Sequence, residues 1–323
     1  MSNWLAVLVA TACMIFISPT ALAVGPGAIT SGALKLSPVR ADLEIRPGES
    51  GTIAITIVNL TNETITVHPA VNDFISADER GTPSLILDEN NYAPTHSLKR
   101  FIGSVEDVVI AAGQAKSINV TIAVPADAQA GGYFGAIRFS PLATSDSQVN
   151  VNASMASLVL LTVAGDVVEK LTLTDFAVQQ NGTANDYFGD SDNLQLATRF
   201  ENKGGLQLGP VGKVSVKVGS RVIYEADFNN NNPREVVLPD GARRWDVPLD
   251  NIGGFGNYTV TATFTYGKNN QTIEATKSFW IIPLQTILVM IGAGVLLIVV
   301  IGMVLFARYR RAHRSLHFGN RNR

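Results

Sequence analysis

Cysteine is all but missing from these 323 residues, and the single one, Cys13, lies inside an apolar run at the N-terminus. No disulfide can staple an exported part of this chain, so each outer domain must rely on a hydrophobic core and needs roughly 100 residues to build one. Histidine is scarce as well. Of four, His313 and His317 fall in the C-terminal tail, which leaves His68 in an expected strand and His96 in a loop. No Cys/His/acid cluster has zinc-ligand spacing, and no G-x-S-x-G turn offers a nucleophile to either histidine. Acids that could work as a glycosidase pair exist at Asp73, Asp78, Glu79, Asp88 and Glu89, but loop surfaces commonly carry such acids. The chain reads as a non-enzyme without a cofactor.

Charge is missing from one long stretch, Leu284 to Phe306. As a helix rising ~1.5 Å per residue it would extend roughly 34 Å, enough to cross a ~30 Å hydrocarbon core with some tilt. Acid is missing from everything after it, where six arginines follow. Arg308, Arg310, Arg311 and Arg314 come first, and by the positive-inside rule they place the 307–323 tail in the cytoplasm and the preceding chain outside. Trp280 and Tyr309 flank the span, where amphipathic rings favour the headgroup layer. The remainder is short of basic charge, with 19 of the 25 basic residues against all 27 acidic ones. An acidic exterior argues against a nucleic-acid partner.

At the other end Trp4 to Ile17 is apolar and Ala21-Leu22-Ala23 fits a small-x-small cleavage site, so 1–23 reads as a signal peptide although Met1-Ser2-Asn3 carries no basic residue. Between the two apolar segments the period is two. Ile53, Ile55 and Ile57 alternate with Thr52, Ala54 and Thr56, and Ile118, Val120, Ile122 and Val124 repeat the pattern. Pro125 begins a turn that runs through Gly131-Gly132 into Tyr133–Ser140, with Tyr133, Gly135, Ile137 and Phe139 on one face and Phe134, Ala136 and Arg138 on the other. Leu194 to Phe200 and Tyr258 to Tyr266 are further alternating strands, and Gly219-Ser220 marks a two-residue hairpin. Short strands with turn signals at this spacing predict an all-β chain: two tandem immunoglobulin-like β-sandwich domains, 33–165 and 166–282, then a single transmembrane helix, 284–306. Tyr133 and Phe134 are the residues proposed to contact a ligand, as rings on which sugars could stack. Asp186, Asp190 and Asp192 alternate as calcium ligands can, yet lack EF-hand spacing and its terminal Glu, so a plain loop is the first reading.

The Pro47-Gly48 turn before GTIAITIVN (51–59), together with VPADAQAGGYFGAIRF (124–139), resembles the N-terminal domain of bacterial WxL-interacting surface proteins. Signal, two sandwiches, one helix and a basic tail are similar to that family's architecture. The resemblance implies a first domain associated with peptidoglycan and a second associated with protein partners. The expected function is binding or scaffolding at the envelope, to wall polymer or another surface protein. The alternative is a non-catalytic sensor or accessory subunit of an envelope complex, for which the short tail would need a partner in the membrane.

Overall fold

At Pro38 the chain changes sheets. Leu34–Ser37 belongs to one layer of the first sandwich and Arg40–Ile45 to the other, on either side of a cis Ser37–Pro38 bond. A proline suits such a corner because it has no N–H to give to a ladder. The coordinates are a computed structural model that describes residues 29–32, 34–88, 90–142 and 154–317. The signal-peptide expectation for 1–23 lies outside them.

The strands in order are β1 (Ile29–Ser31), β2 (Leu34–Ser37), β3 (Arg40–Ile45), β4 (Ser50–Asn59), β5 (Ile65–Ser76), β6 (Pro83–Leu85), β7 (Val108–Ile110), β8 (Ala115–Ala123), β9 (Gly131–Pro141) and β10 (Met155–Val163). One layer runs β1-β2-β4-β8; the other runs β3-β10-β9-β5-β6, with β7 also on β5. The alternation read from the sequence is the packing. Ile53, Ile55, Ile57, Val120 and Ile122 of one layer meet Val67, Ile137, Phe139, Val159 and Leu161 of the other. β7 and a 3-10 turn at Lys99–Phe101 were not anticipated.

The second sandwich holds β11 (Leu171–Gln180), β12 (Thr183–Ala184), β13 (Tyr187–Phe188), β14 (Leu194–Asn202), β15 (Val211–Val218), β16 (Arg221–Phe228), β17 (Ala242–Pro248), β18 (Gly256–Tyr266) and β19 (Gln271–Ile281). Its layers are β12-β11-β14-β17 and β13-β19-β18-β15-β16. Phe200, Phe228, Phe264 and Trp245 interlock at its centre, Phe228 and Phe264 with ring centroids 4.8 Å apart. The stretch around Asp186 read as a plain loop contains β13, because Phe188 is drawn into this core and Tyr187 pairs with Trp280.

Both sandwiches use the same buried clamp. Asn59 closes β4 and donates through Nδ2 to the carbonyls of Glu63 (2.7 Å) and Ile110 (3.1 Å), while its Oδ1 accepts from Thr61 N–H at 2.9 Å. Asn202 closes β14 and donates to Leu206 O (2.7 Å) and Val237 O (2.9 Å), accepting from Gly204 N–H at 2.9 Å. An amide can hold two carbonyls and one N–H at once, so each strand end ties the turn that follows it to a more distant segment, Ile110 of β7 in one sandwich and Val237 in the other.

After Pro283 a single helix, α1 (Leu284–His317), leaves the second sandwich. Its Leu284–Arg310 portion is long and apolar enough to cross a membrane and packs on nothing. It runs further than the 284–306 expected, because no Gly or Pro occurs from Met303 to Phe318 and Ala, Leu and Arg favour helix.

Candidate functional site

The outer face of the β3-β10-β9-β5 layer is apolar where a solvated face would be polar. Phe74, Phe134, Ala136 and Leu160 form a separate buried cluster, and Val236 and Leu238 of the second sandwich pack against it. The two sandwiches therefore share a small core. Polar links surround it: Gly132 N–H donates to Gly205 O at 2.8 Å, Arg40 Nη1 to Arg234 O at 2.7 Å, Gln207 Nε2 to Thr162 Oγ1 at 3.0 Å and Arg244 N–H to Glu79 O at 2.6 Å. Lys268 meets Glu44 at 3.0 Å, and Arg199 meets Glu79 at 2.7 Å.

Close approach explains Gly131-Gly132. A Cβ on Gly132 would come within 2.6 Å of Phe134 Cζ and 2.8 Å of Gln207 Oε1, and one on Gly131, at φ +151, would touch Gly205 O at 3.3 Å. Only glycine lets β9 enter between the sandwiches there.

Beside this shared core a cleft of ≈ 500 Å³ opens between the domains. From the first sandwich come the strand β5 and the turn after it, Phe74 to Glu79, with Thr95, His96 and Phe134; from the second come Arg199, Glu201 and the Leu238–Ala242 turn. The floor is apolar and the rim is charged. Asp78 accepts from Thr82 N–H (3.1 Å), Thr82 Oγ1 (2.9 Å) and Arg80 N–H (2.9 Å), and these bonds hold its carboxyl below the ordinary range. The Arg199 guanidinium does the same for Glu79, bonding one carboxylate oxygen through both Nε (2.9 Å) and Nη2 (2.7 Å). His96 sits at φ +59 with Nδ1 2.5 Å from Gly132 O, so that nitrogen must carry the proton. With Asp78, Glu79, Glu201 and Asp240 against Arg199, the rim offers mainly acceptors. It suits hydroxyl, amide and ammonium groups and repels phosphate.

Tyr133 and Phe134 do not form a shared stacking platform. Tyr133 points into the first core, 4.7 Å from the Phe101 ring, and its hydroxyl donates to Gln129 O at 2.9 Å; burial pushes its phenol up. Phe134 turns the other way and borders the cleft, but is only 3% exposed and packs at 6.1 Å on Phe74. Adjacent strand residues face opposite sides, so both rings are spent on cores. The other candidates are also placed. His68 Nδ1 lies 2.6 Å from Asp107 Oδ1, while its cross-strand neighbour Ser140 accepts from Arg138 instead. In the 186–192 stretch Asp186 pairs with Lys277 at 2.6 Å, and Asp190 accepts from Gln180 Nε2 and Asp192 N–H. Among the described residues no group of three or more His, Cys, Asp or Glu could hold a metal. Trp280 lies on β19 beside Phe255, and Arg308, Tyr309 and Arg310 are exposed on α1; Arg310 sits 5.0 Å above the Phe306 ring. Arg311 and Arg314 lie on the same helix. Asp78 and Glu79 were visible in sequence only as loop acids; Arg199 and the 238–242 turn were missed as their neighbours because only the domain contact brings them together.

Residues 41–141 match the family model described as WxL Interacting Protein, peptidoglycan binding domain. The resemblance to WxL-interacting surface proteins is borne out over that domain, which contains every cleft residue of the first sandwich. No curated protein matches the chain. Among solved structures the chain is similar to the class 5 fimbriae chaperone CfaA (12% identity, 78% of this chain and 100% of that one, TM-score 0.40). It is also similar to the E. coli chaperone DraB (14%, 76% and 96%, 0.32) and the Pseudomonas aeruginosa CupB2 chaperone (8%, 75% and 98%, 0.31). Likenesses this distant carry no functional argument.

Proposed function

We propose that this chain is a non-catalytic, single-pass envelope protein that takes hold of cell-wall polymer in the interdomain cleft and joins it to the plasma membrane. The observation that carries this reading is that the cleft's first-sandwich wall, Phe74 to Glu79 with Thr95, His96 and Phe134, falls wholly inside the peptidoglycan binding domain match. The chemistry is compatible: wall polymer presents sugar hydroxyls, acetamido groups and peptide amines, and the rim presents carboxylates and carbonyls. Arg308, Arg310, Arg311 and Arg314 support a cytoplasmic tail, and Trp280 and Tyr309 support an interface position at either end of the span. The second sandwich then stands above the lipid as a rigid spacer.

The full chain in detergent, mixed with purified peptidoglycan sacculi, tests this. Cosedimentation that soluble wall fragments compete away supports it. Failure to pellet with any wall preparation, together with steady co-purification of a membrane protein, would favour the accessory-subunit reading instead.

A further inference from the structure

Three aromatic side chains from distant parts of the sequence gather where the second sandwich meets the helix. Trp280 is near the end of β19, and four residue steps of up to ~3.6 Å each take the chain from it to the start of α1. Tyr187 pairs with it in register on β13. Phe255 immediately precedes β18, whose first residue pairs with Ile281, and its ring lies 6.2 Å from that of Trp280. Tyr187 is 62% exposed and Phe255 53%. Elsewhere in the described sandwiches Tyr92 is the one other strongly exposed aromatic, and Lys99 and Arg100 lie over its ring. Asp186, the acid next to Tyr187, is matched by Lys277. The β15–β16 hairpin reaches the same level, since Val218 pairs with Tyr258, and adds exposed Val218 and Val222.

We infer that Tyr187, Phe255 and Trp280 form a collar that seats the second sandwich in the headgroup layer of the bilayer. The occupant follows from the chain path: α1 enters lipid within ~14 Å of Trp280, and amphipathic rings favour that layer. The consequence is a fixed tilt of the sandwich, where a helix joined by a free linker would allow swivelling.

The test uses the full chain with Cys13→Ser, carrying a nitroxide at Asn257→Cys, an exposed position paired with Trp280, and reconstituted in phosphatidylcholine/phosphatidylglycerol nanodiscs. A label at Leu60→Cys on the first sandwich is the reference. The ratio of oxygen to nickel-chelate accessibility is expected to be several-fold higher at 257 than at 60. Tyr187→Ser with Phe255→Ser, both surface changes, should bring it down toward the reference. Equal ratios at 257 and 60, a high ratio indifferent to the double change, or shielding from both probes by a co-purified protein would each overturn the inference.

Discussion

Arg199 of the second sandwich grips Glu79 of the first at 2.7 Å, across 120 residues of sequence. The pair is half-exposed, so its coupling is on the order of 0.5 kcal/mol. Arg199 holds the Glu79 carboxyl below its ordinary 4.5. The contribution is therefore whole above that pH and is lost as the pH falls through the lowered folded value. A double-mutant cycle with Arg199→Ala and Glu79→Ala, read by denaturant unfolding over a series of pH values from 7 downward, should show coupling at pH 7 that falls away below 4.5 as the Glu79 carboxylate takes up a proton.

Filling the glycine at the junction should part the domains. Gly132→Val forces a side chain onto Phe134 and Gln207 and should cost about 1–3 kcal/mol, as overpacking does. Small-angle scattering is expected to show a longer outer region, and wall pelleting should weaken with it.

Phe134→Ala is expected to cost about 3–5 kcal/mol, because a buried ring leaves a cavity. Tyr133→Phe should cost only about 1 kcal/mol, the hydroxyl's bond to Gln129 O. Thermal unfolding of both separates framework from ligand contact. A Phe134→Ala protein of unchanged stability that lost only wall binding would contradict the packing role.

The two asparagine clamps should behave alike. Asn59→Ala and Asn202→Ala each leave buried carbonyls without a donor and should each cost about 2–3 kcal/mol. Hydrogen exchange should localise the loosening to 60–63 in one variant and 203–206 in the other.

The helix and the half-buried strands were legible because apolar run length and period two are local properties. Ile53 to Ile57 and Tyr258 to Phe264 needed nothing else. Partnerships at long range were not legible. Nothing near Arg40 announces that β3 lies parallel to β10, with Arg40 opposite Leu158. The cleft shares this property, since Arg199 is an ordinary strand residue until Glu79 is beside it. One clue was present: β9 is apolar on both faces, with Tyr133 and Ile137 on one and Phe134 and Ala136 on the other. A strand of that kind wants a cover on each side, and here the second cover is another domain.

The direct run from β19 through Pro283 into α1 has a mechanical consequence. Tension between wall and membrane would enter the helix along the β19 strand axis. β19 is in unbroken register with β18 from Gln271 opposite Tyr266 to Ile281 opposite Gly256. Its ladder bonds lie across the direction of pull, so they would be sheared together instead of being unzipped one after another. The strand that carries the load is the one best placed to bear it.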